Sequence, residues 1–433
     1  MKQNYLLEQF LIRRKVTLDS RLVDQDTIFF AIKGERHDAN DFIDENLVAK
    51  AGLVVTEREA WAKYSNCVIV PDTLLALQNL AYDYRKLFKI PVIGITGSNG
   101  KTTTKELIHR VLATKFIVHS TKGNFNNHFG VPLTLLQMQE DTQIAVIEMG
   151  ANHQKEIEAL SKIAQPNLGL ITSIGKAHLE GFGGITGVAK GKSELFEYIK
   201  SKEGQIFYHS IDSLLLPYVQ NYSAIIRIDD SALKINNTVY RFQIISTEPQ
   251  IEFKISADRE EEVVIKSILF GIYNFRNILS AVAFGIYFKV PMPEIAKGIA
   301  SYIPDNNRTQ QLKWGNHNVI LDAYNANPTS MRASIQALEK KDPSKILLIL
   351  GSMKELGEVS DSEHRELLQW ISKKNWYDVY LYGDEMYVAN QSFKFRHFNT
   401  LQEIQTELKA IKVTDLLLFI KGSRSNGLEL LFQ

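Results

Sequence analysis

Apolar positions in this chain fall into short runs separated by polar stretches, and their spacing predicts strands alternating with helices. In residues 1–88, TIFFAI, AGLVVTE and CVIVPD read as short strands. TLLALQNLAYDYRKLF, apolar at intervals of three and four, reads as an amphipathic helix ending near Lys89, just before Pro91. Over residues 89–307, KFIVH, QIAVIEMG and NLGLITSIG are strand candidates between helical stretches, the pattern of a mainly parallel sheet covered on both faces. Residues 224–270 change rhythm: IIRIDD, TVYRFQII, IEFKIS and EEVVIKSILF predict a β-rich insert, and helix resumes over 274–303. Residues 308–433 repeat the alternation in NVILDAY, KILLILG, DVYLYG and DLLLFIKG, which predicts a Rossmann-like unit, without GxGxxG. The expected fold is α/β in three domains: 1–88, 89–307 and 308–433.

Within that pattern, PVIGITGSNGKTTTKEL has the order of a phosphate-binding loop. Val92 to Thr96 is a buried strand, a glycine turn follows, and Lys101 to Lys115 is a helix. Gly97 and Gly100 let the backbone wrap a polyphosphate, and the helix N-terminus favours the same anion. Gly97, Ser98, Asn99, Gly100, Lys101, Thr102 and Thr103 are the expected nucleotide-binding residues. Lys101 would reach the outer phosphates and the Thr102 hydroxyl would sit on magnesium. The strict GxxxxGK[ST] pattern is broken at its first glycine, where this chain has Ile95.

Ligands of open α/β sheets gather at the carboxyl ends of strands. Glu148 follows QIAVI and could hold magnesium, or merely cap a helix. His178, in GKAHLEGFGG, suits a metal or a phosphate, or is simply solvated. Lys190 and Lys192, in GVAKGKSELF, read by themselves as solvated helix charges.

Composition narrows the class. Hydrophobic content of 45% with 23% charged residues fits a soluble globular protein, and a net charge of +1 gives no field for nucleic acid. A single cysteine, Cys67, excludes a disulfide framework and a cysteine-rich zinc site and is expected to be a small buried hydrophobe. No apolar run approaches the roughly 18 residues of a membrane span, and MKQNYLLEQF does not read as a signal peptide. A cytoplasmic protein without membrane insertion is expected.

Taken in order, LDSRLV, FFAIKGERHDANDF, TGSNGKTTTKE, GNFNNHFGVP, IEMG, AHLEGFGGITGVAKGKSELF, GIYNFRNILSA, LDAYNANPTSM, GSMKELGE and KGSRSNGLE make the chain resemble the Mur ligase family of ATP-dependent amide-bond-forming enzymes. The resemblance covers essentially the whole chain. It implies an N-terminal UDP-sugar domain, a central ATPase and a C-terminal domain for the incoming amine. LDAYNANPTSM points to D-alanyl-D-alanine as that amine and UDP-N-acetylmuramoyl-tripeptide as its acceptor, over a relative adding the third peptide residue or a folylpolyglutamate synthetase. A non-catalytic ATP sensor or a generic NTPase is the rival from another class. The implied cofactors are ATP and two magnesium ions, and a monomer is expected.

Carried onto this sequence, the resemblance implies that Lys101, His178, Lys192 and Arg308 are catalytic. Thr102, Glu148, His178 and Lys192, the last as a carbamate, would serve the metals, with Lys190 as the rival lysine. Asn127 would face the phosphates, Asn274 and Asn277 the adenine, Arg308 the γ-phosphate and Asp322 the nucleotide. Ser20, Arg21, Lys33 and Asp38 are the candidates for the UDP-sugar, Tyr324, Asn325 and Asn327 for the dipeptide, and Lys421 and Ser423 for a substrate carboxylate. GSMKELG departs from the family's GDMxELG at Ser352, which cannot supply an acid's charge.

Overall fold

The computed structural model describes residues 2–34, 37–257, 262–305 and 307–432. Three sheets succeed one another along the chain. The first is wholly parallel, with strands Lys15–Thr17, Thr27–Phe30, Leu53–Thr56 and Cys67–Ile69 side by side in chain order. A helix, Lys2–Arg13, precedes it, and Thr73–Lys86 follows it. The Asp72 carboxylate caps Thr73–Lys86 by accepting from the Leu75 N–H, and Leu77, Leu80, Ala81 and Tyr84 form its buried stripe. That stripe shares one apolar cluster with Val131, Leu135 and Ile157 of the next unit. The Tyr84 hydroxyl donates to Met138 O at 2.7 Å across the same seam. A continuous core fixes the first unit to the second, so the boundary near Lys89 is one of topology and not of packing. Cys67 is half-buried at the margin of a small cluster rather than enclosed, and burial pushes its thiol up.

The central sheet has ten strands. From one edge inward they are Val118–Ser120, Ile144–Glu148, Val92–Thr96, Leu168–Ile171, Gln205–His209 and Ile225–Ile228, and all of these neighbours run parallel. Ala232–Ile235, Thr238–Ser246, Ile251–Ala257 and Val263–Ser267 continue outward antiparallel. The expected β-rich insert is therefore the far edge of this sheet and not a separate body. Val92–Thr96 is buried at every residue, which is why its sequence is a continuous apolar run. Helix Lys101–Leu112 ends short of the expected Lys115. The helical stretch expected over 274–303 is two helices, Tyr273–Tyr287 and Met292–Ala300, broken where Lys289 turns left-handed and Pro291 opens the second.

The third sheet runs Gln310–Trp314, His317–Asp322, Leu417–Lys421, Ile346–Gly351, Asp378–Tyr382 and Arg396–Phe398. It is parallel apart from the first pair, and apolar clusters cover both faces. Among the described residues no helix is long and apolar enough to cross a membrane.

Candidate active site

Adjacent parallel strands of the central sheet end at Thr96, Glu148, Ile171 and His209, so their following residues converge on one rim. Over that rim lies a cavity of about 780 Å³, closed on its far side by Arg308, Asp322, Tyr324, Asn325 and Lys421. Ser98, Asn99, Gly100, Lys101, Thr103, Asn127, Glu148, His178, Asn274 and Asn277 also line it.

The loop's shape depends on its glycines. Gly97 has φ 144° and Gly100 φ 81°, a region other residues avoid. A Cβ would lie 2.1 Å from Thr172 Oγ1 at the first and 2.4 Å from Asn277 Oδ1 at the second. Ile95 is buried within the strand, paired with Leu170 and Glu148, so the loop turns at Gly97 and needs no glycine earlier. The Ser98 N–H donates to Ser173 O at 2.8 Å, and the Ser98 hydroxyl accepts from the Gly175 N–H at 2.9 Å. Lys101 folds back to donate to Gly97 O at 2.7 Å. Burial lowers its ammonium pKa, Glu148 opposes that shift, and Arg308 adds to it.

Glu148 is buried at its strand end. Its Oε1 accepts from the Thr102 hydroxyl at 3.2 Å and from Asn126 Nδ2 at 2.8 Å, while Oε2 has no hydrogen-bond partner. A buried carboxylate oxygen left unpaired is costly and marks a place for a cation. Among the described residues no three His, Cys, Asp or Glu side chains group as a metal site. A hydroxyl and a carboxylate are instead the hard, sparse donor set that magnesium completes with water and phosphate oxygens. The residues present fit that ion.

Lys192, on helix Ile185–Ser201, is 1% exposed, and its ammonium donates to the carbonyl of the cavity-lining Ala151 at 2.7 Å. The ring of Phe182 lies 4.9 Å from Nζ. Burial, and then the charge of Lys101, hold its amine well below the ordinary lysine range. Lys190 on the same helix is exposed, which separates the two lysine candidates by environment.

His178 adopts a left-handed backbone, φ 53°, just before helix Leu179–Phe182. Its Nδ1 lies 2.6 Å from Glu355 Oε2 of the third unit, a close polar contact without hydrogen-bond alignment. The histidine holds the Glu355 carboxyl below its usual range. Other ties cross the same cleft. Asn327 Nδ2 donates to Asn99 Oδ1 at 2.7 Å, the Lys176 N–H donates to Thr329 Oγ1 at 3.0 Å, and Lys176 pairs with Glu363.

Several predicted residues already have partners. Asn127 accepts from the Gly130 N–H at 2.9 Å, while its neighbour Asn126 is the one bonded to Glu148. Asn277 donates to Asn274 Oδ1 at 2.8 Å and accepts from the Thr104 hydroxyl at 3.1 Å. Asp322 pairs with the buried Lys421 and accepts from the Thr309 N–H at 3.2 Å. Asn325 is exposed, and Asn327 caps helix Pro328–Gln336. The Ser423 hydroxyl accepts from the Lys354 N–H at 3.0 Å. Ser352 is fully buried, and its hydroxyl accepts from the Met386 N–H at 3.3 Å, so the serine serves a helix start where the family has an acid.

Ser20, Arg21, Lys33 and Asp38 do not line the cavity. Arg21 is exposed and paired with Asp19 at 2.6 Å, and Asp38 faces Arg58 at 3.5 Å. The first unit contributes Gln78 to the cavity wall instead. The sequence reading also missed Asn126, Thr172, Ser173, His209 and Glu355. Thr172 and Ser173 directly follow the strand read from NLGLITSIG, so the strand-end rule pointed at them.

The sequence profile of the Mur ligase middle domain matches residues 95–285, and that of the Mur ligase glutamate ligase domain matches 307–424. UDP-N-acetylmuramoyl-tripeptide–D-alanyl-D-alanine ligase of Bacillus subtilis is 37% identical over 96% of this chain and 91% of its own length. Its Haemophilus influenzae namesake is 33% identical over 96% and 92%. The crystal structure of MurF from Acinetobacter baumannii superposes with TM-score 0.84 at 30% identity, over 96% of this chain and 92% of that one. MurF ligase of Thermotoga maritima, solved in complex with ADP, superposes with TM-score 0.85 at 27% identity, over 97% and 96%. Likeness of this extent in sequence and in fold means that the chain belongs to the Mur ligase family.

Proposed function

We propose that this chain is the ATP-dependent ligase that joins D-alanyl-D-alanine to the terminal carboxylate of UDP-N-acetylmuramoyl-tripeptide, a step in building peptidoglycan precursors. The observation that carries the reading is the convergence of the phosphate loop and of Glu148, with its unpaired oxygen, on one cavity closed by the third unit, with the buried Lys192 just behind the lining residue Ala151. The names of the curated relatives agree with it. In this reading residues 1–88 hold the UDP-sugar, 89–307 the nucleotide and 308–433 the dipeptide.

A carboxylate is a poor electrophile because its charge repels nucleophiles and its oxide leaves badly. The tripeptide carboxylate attacks the γ-phosphorus of ATP and ADP departs. The dipeptide amine then attacks the acyl carbon, phosphate leaves, and the amine's proton is lost. Lys101 swings from Gly97 O to the phosphates in transit, and Arg308 stabilises the γ-phosphate from the opposite wall. Magnesium, when bound, offsets the crowded negative charge. Thr102 and Glu148 would hold one ion and His178 the other. Burial disfavours the charged form of Lys192; its neutral amine would add carbon dioxide and release a proton, and the resulting carbamate would face the metals as an anion. The cross-cleft ties keep water from the activated carbonyl.

The test is release of ADP and phosphate with each substrate omitted in turn. Turnover should require both UDP-N-acetylmuramoyl-tripeptide and D-alanyl-D-alanine. Rapid ATP hydrolysis with neither present would identify a generic NTPase instead.

A further inference from the structure

The proposed reaction leaves one charge without a partner, and this inference rests on that reading. The dipeptide carries a carboxylate at the end remote from its attacking amine, and a carboxylate drawn out of water needs a cation. At the carboxyl end of the third sheet and across the cleft from it, most cations are already committed. Lys421 is paired with Asp322, and Lys176 with Glu363. Lys354 Nζ lies 2.5 Å and 2.7 Å from the two oxygens of Glu385. The Ser423 hydroxyl accepts from the Lys354 N–H and carries no charge to offset that of a carboxylate.

Across the cleft Lys101 and Lys192 belong to the phosphate and metal chemistry, and on the third unit's side Arg308 and Arg424 remain. Both guanidinium groups lie against the ring of Tyr324, with their central carbons 3.7 Å and 5.4 Å from its centroid. Neither has a carboxylate partner among the described residues, so the ring sits beside unneutralised positive charge. Arg308 borders the phosphate loop closely enough to lower the Lys101 ammonium, which suits it to the nucleotide. Arg424 is exposed and stands one residue past Ser423, on the turn Arg424–Asn426. That turn is rigid: Asn426 Nδ2 donates to Ser352 O at 2.9 Å and to Ser423 O at 3.0 Å.

We infer that Arg424 receives the carboxylate of the incoming dipeptide, with the Tyr324 ring as the plate that holds its guanidinium fork in plane. Lys421 and Ser423 then shape the strand end and do not bind that carboxylate. An arginine suits the task because its paired N–H groups match both carboxylate oxygens, which a lysine cannot do.

The experiment compares D-alanyl-D-alanine with its C-terminal amide in the full-length wild type, Arg424→Ala and Arg424→Lys. Wild type should show a KM about 30-fold higher for the amide, the size of a charge-assisted pair. Arg424→Ala should raise the KM for the acid by a similar factor and leave the amide unchanged. The KM values for ATP and for the UDP-linked substrate should not move. Arg424→Lys should recover part of the preference for the acid. An Arg424→Ala enzyme that still prefers acid to amide as strongly as wild type overturns the assignment of Arg424 and leaves the ligase reading standing. A wild type that ligates neither compound overturns both. Arg424→Gln serves in place of the alanine variant if thermal melts show the latter unfolded.

Discussion

Two sheets present polar residues at their carboxyl ends across one cleft, and they differ in how those residues are satisfied. On the central rim, Glu148 Oε2 and His209 Nδ1 are buried without hydrogen-bond partners, and Lys192 has only a carbonyl. On the facing rim, Asp322, Lys421, Lys354 and Ser423 are tied to one another or to near neighbours. Unsatisfied buried groups cost stability, so they persist where a ligand completes them, whereas saturated ones set a shape. The central rim is built for the charge of the nucleotide and its metal, while the facing rim is a wall of saturated groups in which only Arg308 and Arg424 are left without a carboxylate among the described residues.

Chemistry should therefore fail most sharply on the central side. Lys192→Ala removes the buried amine proposed to become a carbamate, and ligation should fall by about three orders of magnitude, comparable to losing a preorganised electrostatic group. A short carboxylic acid added to the assay should restore part of the rate by placing an anion in the vacated space. Full activity in the variant without added acid would remove the carbamate from the mechanism.

Stability should fail first on the other side. Lys421→Met leaves the mostly buried Asp322 with only the Thr309 N–H and the Ser334 hydroxyl. Breaking one partner of a buried pair costs about 3–5 kcal/mol, and Lys421→Met combined with Asp322→Asn should cost less than Lys421→Met alone. Urea unfolding without ligands reads this directly. A single-variant loss below about 1 kcal/mol would mean that the pair is as weak as a surface salt bridge.

His209 gives the comparison a pH axis. It is buried at the end of Gln205–His209, its Nε2 meets the Ser280 hydroxyl at 2.8 Å, and burial lowers its pKa to about 4. A histidine whose folded pKa is depressed binds its proton more readily when unfolded. Its contribution is full above the unfolded value near 6.5 and is lost as pH falls toward 4. The effect is about 3 kcal/mol over that window, so His209→Gln should flatten the stability profile between those limits by a comparable amount. An unchanged slope would show that His209 is not held neutral.

The division between rims explains what the sequence could reveal. Val92–Thr96 and the loop after it were legible because a fully buried parallel strand must be continuously apolar and the turn demands glycine at Gly97 and Gly100. Gln310–Trp314 was missed because it is an edge strand, half-exposed, with polar residues at the alternate positions. Arg396–Phe398 is too short to show a period. In the site, Asn127 was named for the phosphates and lines the cavity, while its unread neighbour Asn126 also lines it and bonds Glu148, a division between adjacent amides that only the direction of the chain decides. Glu355 went unread because its partner, His178, comes from another domain, and no local pattern records a contact across a cleft. Asn327 was legible as a motif residue, but its side chain caps a helix and reaches Asn99.

That last contact is the smallest effect and joins the two rims most directly. Asn99 belongs to the phosphate loop, and Asn327 opens the helix Pro328–Gln336 on the opposite side. The amide of Asn327 donates to Asn99 Oδ1 at 2.7 Å, and the return contact, Asn99 Nδ2 to Asn327 Oδ1, is longer at 3.5 Å. One good hydrogen bond between neutral groups is worth about 1 kcal/mol net, so each alanine variant alone should weaken ATP binding modestly. Asn327→Ala also removes the helix cap, which costs about 1 kcal/mol of stability whether or not the cleft is closed. A double-mutant cycle separates the two contributions, because only the cross-cleft bond is shared between the residues. A coupling of about 0.5–1 kcal/mol in nucleotide affinity is expected if closure of the third unit is what the phosphate loop senses. Strict additivity would mean that the two rims bind their ligands independently, and that the amide pair is a contact of the closed form without influence on it.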